Sequence, residues 1–529
     1  MQNKLTQAIM RSSHSRILLP GALFSRVLVV LLSMILFSGC QEKTVDKKPN
    51  IIYILADDLG YGDVSAMNED AAWKTVHIDR IASEGMSFSD AHTGSAVCTP
   101  TRYGVLTGRY SWRTRMKQGV LWSWDPPLIE TEEETVGSLL QSQGYETACV
   151  GKWHLGLGWQ YHENRPDSVD FSKVVNGGPV ELGFDYFFGI AASLDIPPYV
   201  YIENDLPTMV PVQYTQDTSK YGWWRNGLTG DDFVHEEVLP VLTRKAVAFI
   251  DQHQVNNPDE PFFLYFPLPA PHTPILPTEE FQGKSGTNPY GDFVLQVDHT
   301  VGQVLKALEK HGIENETLII FTSDNGCSPE ADFQVLSNFG HDPSYSFRGH
   351  KADIYEGGHR VPFVVRWPGK IQAGSQNDHV ICLTDLLATV ADISGISPEA
   401  SAGVDSYSML PAFKGLSEEP IREATVHHSV NGSFAIRKGD WKLILCPGSG
   451  GWSDPKPNSP GNEDLYPVQL YNLKKDVGET ENLAESNPEV LEELTALLEK
   501  YILEGRSTPG PVQAYVPSES WPGLSWMAE

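Results

Sequence analysis

The sequence predicts an α/β fold in which a large, mostly parallel mixed sheet lies between helices, followed by a smaller C-terminal unit of antiparallel strands and one helix. Three observations predict it. Four apolar runs, Ile51–Ala56, Thr147–Val150, Phe262–Phe266 and Leu318–Ser323, are continuous rather than alternating, as in strands covered by helices on both faces. Helical spacing precedes the fourth run, at Val294, Val297, Val301, Val304 and Leu308, which is the order of βα units. From about Glu419 the apolar runs shorten and alternate with turns.

The chain begins outside this fold. Met1–Gly39 carries Lys4, Arg11, Arg16 and Arg26, no acidic residue, and an apolar run from Val27. That run is short of the ~20 residues a membrane span needs, so it reads as a secretory signal, with a membrane anchor as the competing reading. Ser38-Gly39-Cys40 resembles a bacterial lipobox. It implies cleavage before Cys40, a lipid on Cys40, and an exported protein anchored to a bacterial membrane on its periplasmic or cell-surface side. Residues 40–49 are then a polar tether, 50–418 the main α/β domain and 419–529 a C-terminal α+β subdomain. The formal charge is −29, from 39 basic and 68 acidic residues. It becomes more acidic once the basic leader is gone, which argues against nucleic acid as a partner and leaves any anion only a local basic pocket. Six cysteines are too few for a disulfide scaffold at this length. Cys149, inside an apolar run, reads as an inert core thiol; pairing among Cys327, Cys382 and Cys446 stays open.

Taken in order, each apolar run delivers polar residues at its end, where open α/β sheets bind ligands. The first ends in Asp57-Asp58-Leu59-Gly60, a place for a hard cation or an Asx turn. Cys98-Thr99-Pro100-Thr101-Arg102 reads as a helix start, with Thr99 as cap and Pro100 at the first helical position. A side chain there sits among N–H groups that favour an anion; alone, the pentapeptide would be a structural thiol beside a surface arginine. Thr131-Glu132-Glu133-Glu134 reads as a capping box leading a helix with Val136, Leu139 and Leu140 inward, stopped by Gly144. The second run ends in Gly151-Lys152-Trp153-His154, the third in Pro271-His272-Thr273-Pro274 and the fourth in Asp324-Asn325-Gly326. Between them, residues 160–235 are irregular, and Tyr199, Tyr201, Trp223 and Trp224 suit either sugar stacking or plain packing. Phe347-Arg348-Gly349-His350-Lys351 precedes Glu356–Pro362; Val364–Arg366 reads as a further strand and Thr384–Ile393 as a covering helix. In the C-terminal unit Thr425–Val430, Phe434–Arg437, Trp441–Leu445 and Gln469–Tyr471 are short strands, and 447–467 is a Pro-, Gly- and Ser-rich loop. Asn487-Pro488-Glu489 starts a helix carrying Val490, Leu494, Leu497 and Leu498.

The Cys98 pentapeptide, followed by Tyr103-Gly104-Val105-Leu106-Thr107-Gly108-Arg109, resembles the type I sulfatase signature, and the resemblance runs from about Asn50 into the C-terminal region. It implies an alkaline-phosphatase-like fold. It also implies that Cys98 is oxidised to formylglycine, by a formylglycine-generating or radical sulfatase-maturating enzyme, and that the hydrated aldehyde is the nucleophile. By the same resemblance Asp57, Asp58, Asp324 and Asn325 hold Ca²⁺, with Mg²⁺ as the other choice, together with the oxygen of modified Cys98. Lys152 and Lys351 would clamp sulfate oxygens, His272 protonate the leaving oxygen, His154 take the proton that expels sulfate, and Arg102 orient the formylglycine. The stretches around Cys327-Ser328-Pro329 and Phe347–Arg360 look most like the galactosamine-6-sulfatase and arylsulfatase A group. That implies a sulfated saccharide of galactose or N-acetylgalactosamine type, cut from a chain end. A formylglycine-dependent phosphodiester or phosphonate ester hydrolase and a non-catalytic glycan-binding lipoprotein are the alternatives. The complete set of motif positions speaks against the second.

Overall fold

The computed structural model describes residues 47–513, apart from 418, and 522–527. The signal segment, Cys40 and the first part of the tether lie outside the described residues. A ten-stranded sheet runs in the spatial order Ser375–Asn377, Met86–Phe88, Phe363–Arg366, Thr317–Ser323, Asn50–Asp57, Phe262–Pro271, Glu146–Lys152, Tyr186–Ile190, Ile202–Glu203, Leu206–Pro207. Asn50–Asp57 pairs in parallel with Thr317–Ser323 on one side and Phe262–Pro271 on the other, which pairs in parallel with Glu146–Lys152. The four long apolar runs are therefore the parallel centre, and their carboxyl ends share one edge. Phe363–Arg366 and Met86–Phe88 add antiparallel pairings beyond Thr317–Ser323, which makes the sheet mixed.

The continuous apolar runs are explained by two cores. Ile51, Tyr53 and Leu55 face one core, with Tyr103, Val105, Leu106, Leu139, Leu140 and Leu387 from the helices Cys98–Thr107, Val136–Ser142 and Leu386–Ser394. Ile52, Ile54 and Ala56 face the other, with Ile78, Leu242, Val297, Val301 and Val304 from Val76–Glu84, Val238–Asn256 and Pro289–His311. Alternate residues of one strand thus serve opposite layers, and a polar residue fits neither. The irregular stretch contributes packing: Tyr199 and Tyr201 are buried, and Tyr201 stacks on Phe188 with ring centroids 5.1 Å apart. All described cysteines are free thiols.

The C-terminal strands Thr425–His428, Phe434–Lys438, Trp441–Ile444 and Gln469–Asn472 form an antiparallel meander. The helix Pro488–Leu503 lays Leu494, Leu497, Leu498 and Ile502 on one face of it, a core that also takes Tyr110 and Trp112.

Two expected helix starts are corrected. Val97, extended at φ −146°, is the cap of the first, so Cys98 is its first helical residue and Pro100 its third. Proline is tolerated there because the third N–H has no intrahelical partner either. Thr99 instead ties the helix to the next strand end, donating to the His154 carbonyl at 3.0 Å and accepting from the Leu121 N–H at 3.2 Å. The capping box is Thr135 with Ser138, each side chain accepting the other's backbone N–H at 3.1 and 2.9 Å, rather than Thr131 with Glu134. Glu133 accepts from the Tyr103 hydroxyl at 2.8 Å and pairs with Arg109 at 3.0 Å.

Candidate active site

The parallel register brings the ends of the four runs level: Asp57 lies beside Pro271, and Ala56 beside Ser323. Past those ends the chain is knitted by its own polar groups. The Asp58 N–H donates to Asp324 Oδ1 at 3.2 Å and the Leu59 N–H to Ser323 Oγ at 3.0 Å. Asp58 and His154 both hold left-handed backbone, at φ 62° and 56°. Non-glycine residues are strained there and stay only where their surroundings compel them.

Asp57, Asp58 and Asp324 are buried, and so are Arg102, Lys152 and Lys351. Buried charges persist only when paired, and here the pairs interlock. Lys152 Nζ is 2.7 Å from Asp57 Oδ2, and Lys351 Nζ is 2.7 Å from Asp58 Oδ2. Arg102 gives Asp324 Oδ2 two bonds at 2.7 and 3.0 Å, lies 3.5 Å from Asp57 Oδ1, and donates to the Lys152 carbonyl at 3.0 Å. Burial pushes the Asp57 carboxyl up, but Lys152, His272, Arg102 and Lys351 together hold it well below its ordinary value. Asp324 goes the other way, to about 6, through burial and the neighbouring charge of Asp57. A cation between the two would relieve that repulsion.

Cys98 Sγ lies 3.8 Å from Asp57 Oδ1. Burial pushes this thiol up to about 12 against the pull of Lys152 and Lys351. Unmodified, it is protonated at neutral pH and a poor nucleophile.

The two histidines are held differently. A carbonyl accepts only from N–H, so the 2.5 Å contact to the Thr273 carbonyl places a proton on His272 Nδ1, while Nε2 stands 3.6 Å from Asp58 Oδ2. Asp195 Oδ1 lies 4.0 Å from His272 Nδ1. His154 Nε2 meets the Leu121 carbonyl at 2.9 Å, so it carries the proton, and its buried Nδ1 has no hydrogen-bond partner among the described residues. Burial, reinforced by Lys152 and Arg102, holds that ring well below its ordinary value, leaving a neutral imidazole with a bare lone pair.

The donors fit a hard cation. Of the expected ligands, Asp57, Asp58 and Cys98 bring ligand atoms within 4.8 Å of one another, joined there by His272 and not by Asp324. Asn325 donates through Nδ2 to Asp58 Oδ1 at 2.8 Å, while its buried Oδ1 has no partner among the described residues. Carboxylate and amide oxygens are the set calcium or magnesium takes. Every residue expected at the site thus stands at this edge of the sheet. Sequence reasoning missed Asp195 and the Leu121 carbonyl; neither lies in a periodic run or a motif, and nothing short of the fold brings them here.

The profile of the family described as Sulfatase matches residues 49–396, and that of the N-sulphoglucosamine sulphohydrolase C-terminal region matches 349–450. The N-acetylgalactosamine-6-O-sulfatase of Bacteroides thetaiotaomicron is 35% identical over 526 residues, covering 90% of this chain and 98% of that protein. Human arylsulfatase A is 33% identical over 487 residues, covering 89% and 91%. A solved sulfatase structure from work on glycosaminoglycan metabolism by Bacteroides thetaiotaomicron superposes with a TM-score of 0.75 at 33% identity, covering 86% of this chain and 99% of that one. A crystal structure of Ps i-CgsB in complex with k-i-k-neocarrahexaose superposes with a TM-score of 0.67 at 25% identity, covering 88% and 95%.

Proposed function

The chain belongs to the sulfatase family and is a sulfuric ester hydrolase, and from that premise we propose that it removes sulfate from a galactose- or N-acetylgalactosamine-type sugar, using a formylglycine made from Cys98. The observation that carries this reading is the convergence at Asp58: Lys351 Nζ and His272 Nε2 approach the same oxygen at 2.7 and 3.6 Å. An anion-binding ammonium and a proton donor therefore flank one point, beside Cys98. The sugar is argued from the relatives named for N-acetylgalactosamine 6-sulfate ester hydrolysis.

Asp57, Asp58, Asp324 and Asn325 would hold Ca²⁺, or Mg²⁺, with the oxygen of modified Cys98. Bound there, the ion acidifies the nucleophile's hydroxyl and polarises the sulfate. Lys152 and Lys351 neutralise the non-bridging oxygens. Arg102 fixes the Asp324 and Asp57 carboxylates from behind the nucleophile. With Nδ1–H committed to Thr273, His272 acts as acid through a second proton at Nε2, delivered to the leaving oxygen. His154 Nδ1, neutral and unpartnered, takes the proton whose loss expels sulfate. The same reading has the leader direct export to a lipid anchor at Cys40, and a formylglycine-generating or radical sulfatase-maturating enzyme modify Cys98.

The test is release of inorganic sulfate from a panel of sulfated mono- and oligosaccharides by enzyme co-expressed with a maturase, with mass spectrometry of the Cys98 peptide. Active enzyme should carry that peptide about 18 Da lighter than the thiol form, the step from thiol to aldehyde, which lies outside ordinary cysteine oxidation. Activity with Cys98 wholly a thiol would overturn the nucleophile. Phosphodiester turnover without sulfate release would overturn the reaction.

A further inference from the structure

Whatever group protonates the leaving oxygen also marks where the sugar lies, because the leaving oxygen belongs to the sugar. The far side of His272 is built up. Asp195, buried, stands 4.0 Å from His272 Nδ1 through Oδ1, an atom with no hydrogen-bond partner among the described residues. Its Oδ2 pairs with Arg225, whose Nη1 also donates to the Asp195 carbonyl at 3.2 Å. Those are the side-chain bonds of Arg225, so its Nε–H and Nη2–H are without a protein partner among the described residues. The Arg225 side chain is 41% exposed, and its guanidinium carbon lies over two indoles, 5.2 Å from the Trp122 ring centroid and 5.0 Å from that of Trp223. Trp122 is itself 52% exposed.

This arrangement is fixed in advance. The buried Tyr199 hydroxyl meets the Asp195 carbonyl at 3.1 Å and the Arg225 carbonyl at 2.7 Å, and the Arg225 N–H reaches the Asp195 carbonyl at 3.3 Å. A planar cation stacked on aromatic rings, with donors to spare, is a poor way to cover surface and a good way to read vicinal hydroxyls. An exposed indole beside it offers a flat apolar face. We infer that Arg225, held by Asp195 against Trp122 and Trp223, binds the sugar whose sulfate is removed, its free N–H groups taking ring hydroxyls while Trp122 covers a C–H face. The inference rests on the sulfated-sugar reading above and extends it to the residues that choose the sugar.

The test uses a Cys98→Ser background, which blocks turnover, loaded with calcium and titrated calorimetrically with N-acetylgalactosamine 6-sulfate and with inorganic sulfate. Adding Arg225→Ala should weaken the sugar sulfate roughly 10–100-fold, the loss expected for hydrogen bonds to a charged donor, and leave the inorganic sulfate Kd within about twofold. Arg225→Lys should recover little, since a lone ammonium lacks the fork. Trp122→Ala should weaken the sugar sulfate in the same direction. Equal weakening of both ligands would show a collapsed pocket and overturn the inference, as would no change in either. A Cys98→Ser parent that binds sulfate and not the sugar sulfate would instead overturn the galactosamine-type reading, and the subsite with it.

Discussion

His272 and His154 stand at one site with opposite nitrogens free, and this divides their labour. His272 keeps Nδ1–H on the Thr273 carbonyl and presents Nε2; His154 keeps Nε2–H on the Leu121 carbonyl and leaves Nδ1 bare. Protonating a leaving oxygen matters in proportion to its basicity, so a sugar alkoxide needs the acid and a nitrophenolate does not. His272→Ala should therefore cost a sugar sulfate roughly 10²–10⁴-fold more than an aryl sulfate, the usual worth of a general acid. His154→Ala should slow both substrates toward a common rate, with sulfate retained on the residue-98 peptide in a quenched reaction. Equal losses for His272→Ala, with no retained sulfate for His154→Ala, would reverse the assignment. Removing the Asp324 carboxylate should lower activity by orders of magnitude, without recovery in moderate added calcium; a metal-free enzyme of full activity would refute the cation. These residues were legible in the sequence because each ends an apolar run or stands in a motif. Asp195 was not, since Ser193–Pro198 carries no period and acquires a role only when the fold sets it against His272.

The elements were legible where burial dictates composition and less so where short polar side chains compete. Asn50–Asp57 is buried on both faces, so its run of apolar residues admits one reading. The second helix start was misplaced because Thr131-x-x-Glu134 matches the capping-box pattern whereas the actual box, Thr135 with Ser138, closes on a serine and does not. Nor does sequence show how tightly the strands close around the site. Gly151 sits at φ 142° one residue before Lys152, and a Cβ there would stand 1.9 Å from the Pro267 carbonyl oxygen of the neighbouring strand. A Cβ on Gly189 would stand 1.9 Å from the Gly151 carbonyl oxygen. Three parallel strands thus converge where Lys152 must reach Asp57. Gly151→Ala should destabilise the protein by about 3 kcal/mol or more, through backbone strain and overpacking together. Urea unfolding checks it, and a midpoint within error of the wild type would show that the strands have room.

At the scale of the molecule, the C-terminal meander supports the segment that leads into the nucleophile. The His428 N–H donates to the Gly94 carbonyl at 3.2 Å and its carbonyl accepts from the Ala96 N–H at 3.0 Å, while the Ala96 carbonyl accepts from the Ala352 N–H at 2.8 Å. The approach to Cys98 is thereby held between the C-terminal strand and the loop that carries Lys351. The strands of the meander were readable from their apolar spacing; their docking was not, because it is made by buried charges such as Arg437 with Asp90 and Lys442 with Glu356, which in a sequence look like surface residues. His428 gives this joint a pH dependence. Burial, only partly offset by the Ser429 carbonyl, lowers its ring from 6.5 to about 4, while Nε2 meets Ser111 Oγ at 3.1 Å. As pH falls below 6.5 the unfolded chain takes up a proton that the folded chain refuses, so stability is lost through this group between 6.5 and 4 and is unaffected above 6.5. The slope is about 1.4 kcal/mol per pH unit for one such group. His428→Gln removes it, so the stability gap between wild type and variant should be nearly constant above pH 7 and shift in the variant's favour by roughly 1 kcal/mol between pH 6.5 and 5.5, the unfolded imidazole being half protonated at the start of that window. Denaturant titrations at pH 8, 7, 6.5 and 5.5 measure the gap directly, and parallel curves for the two proteins would show that His428 protonates in the folded joint as freely as in the open chain.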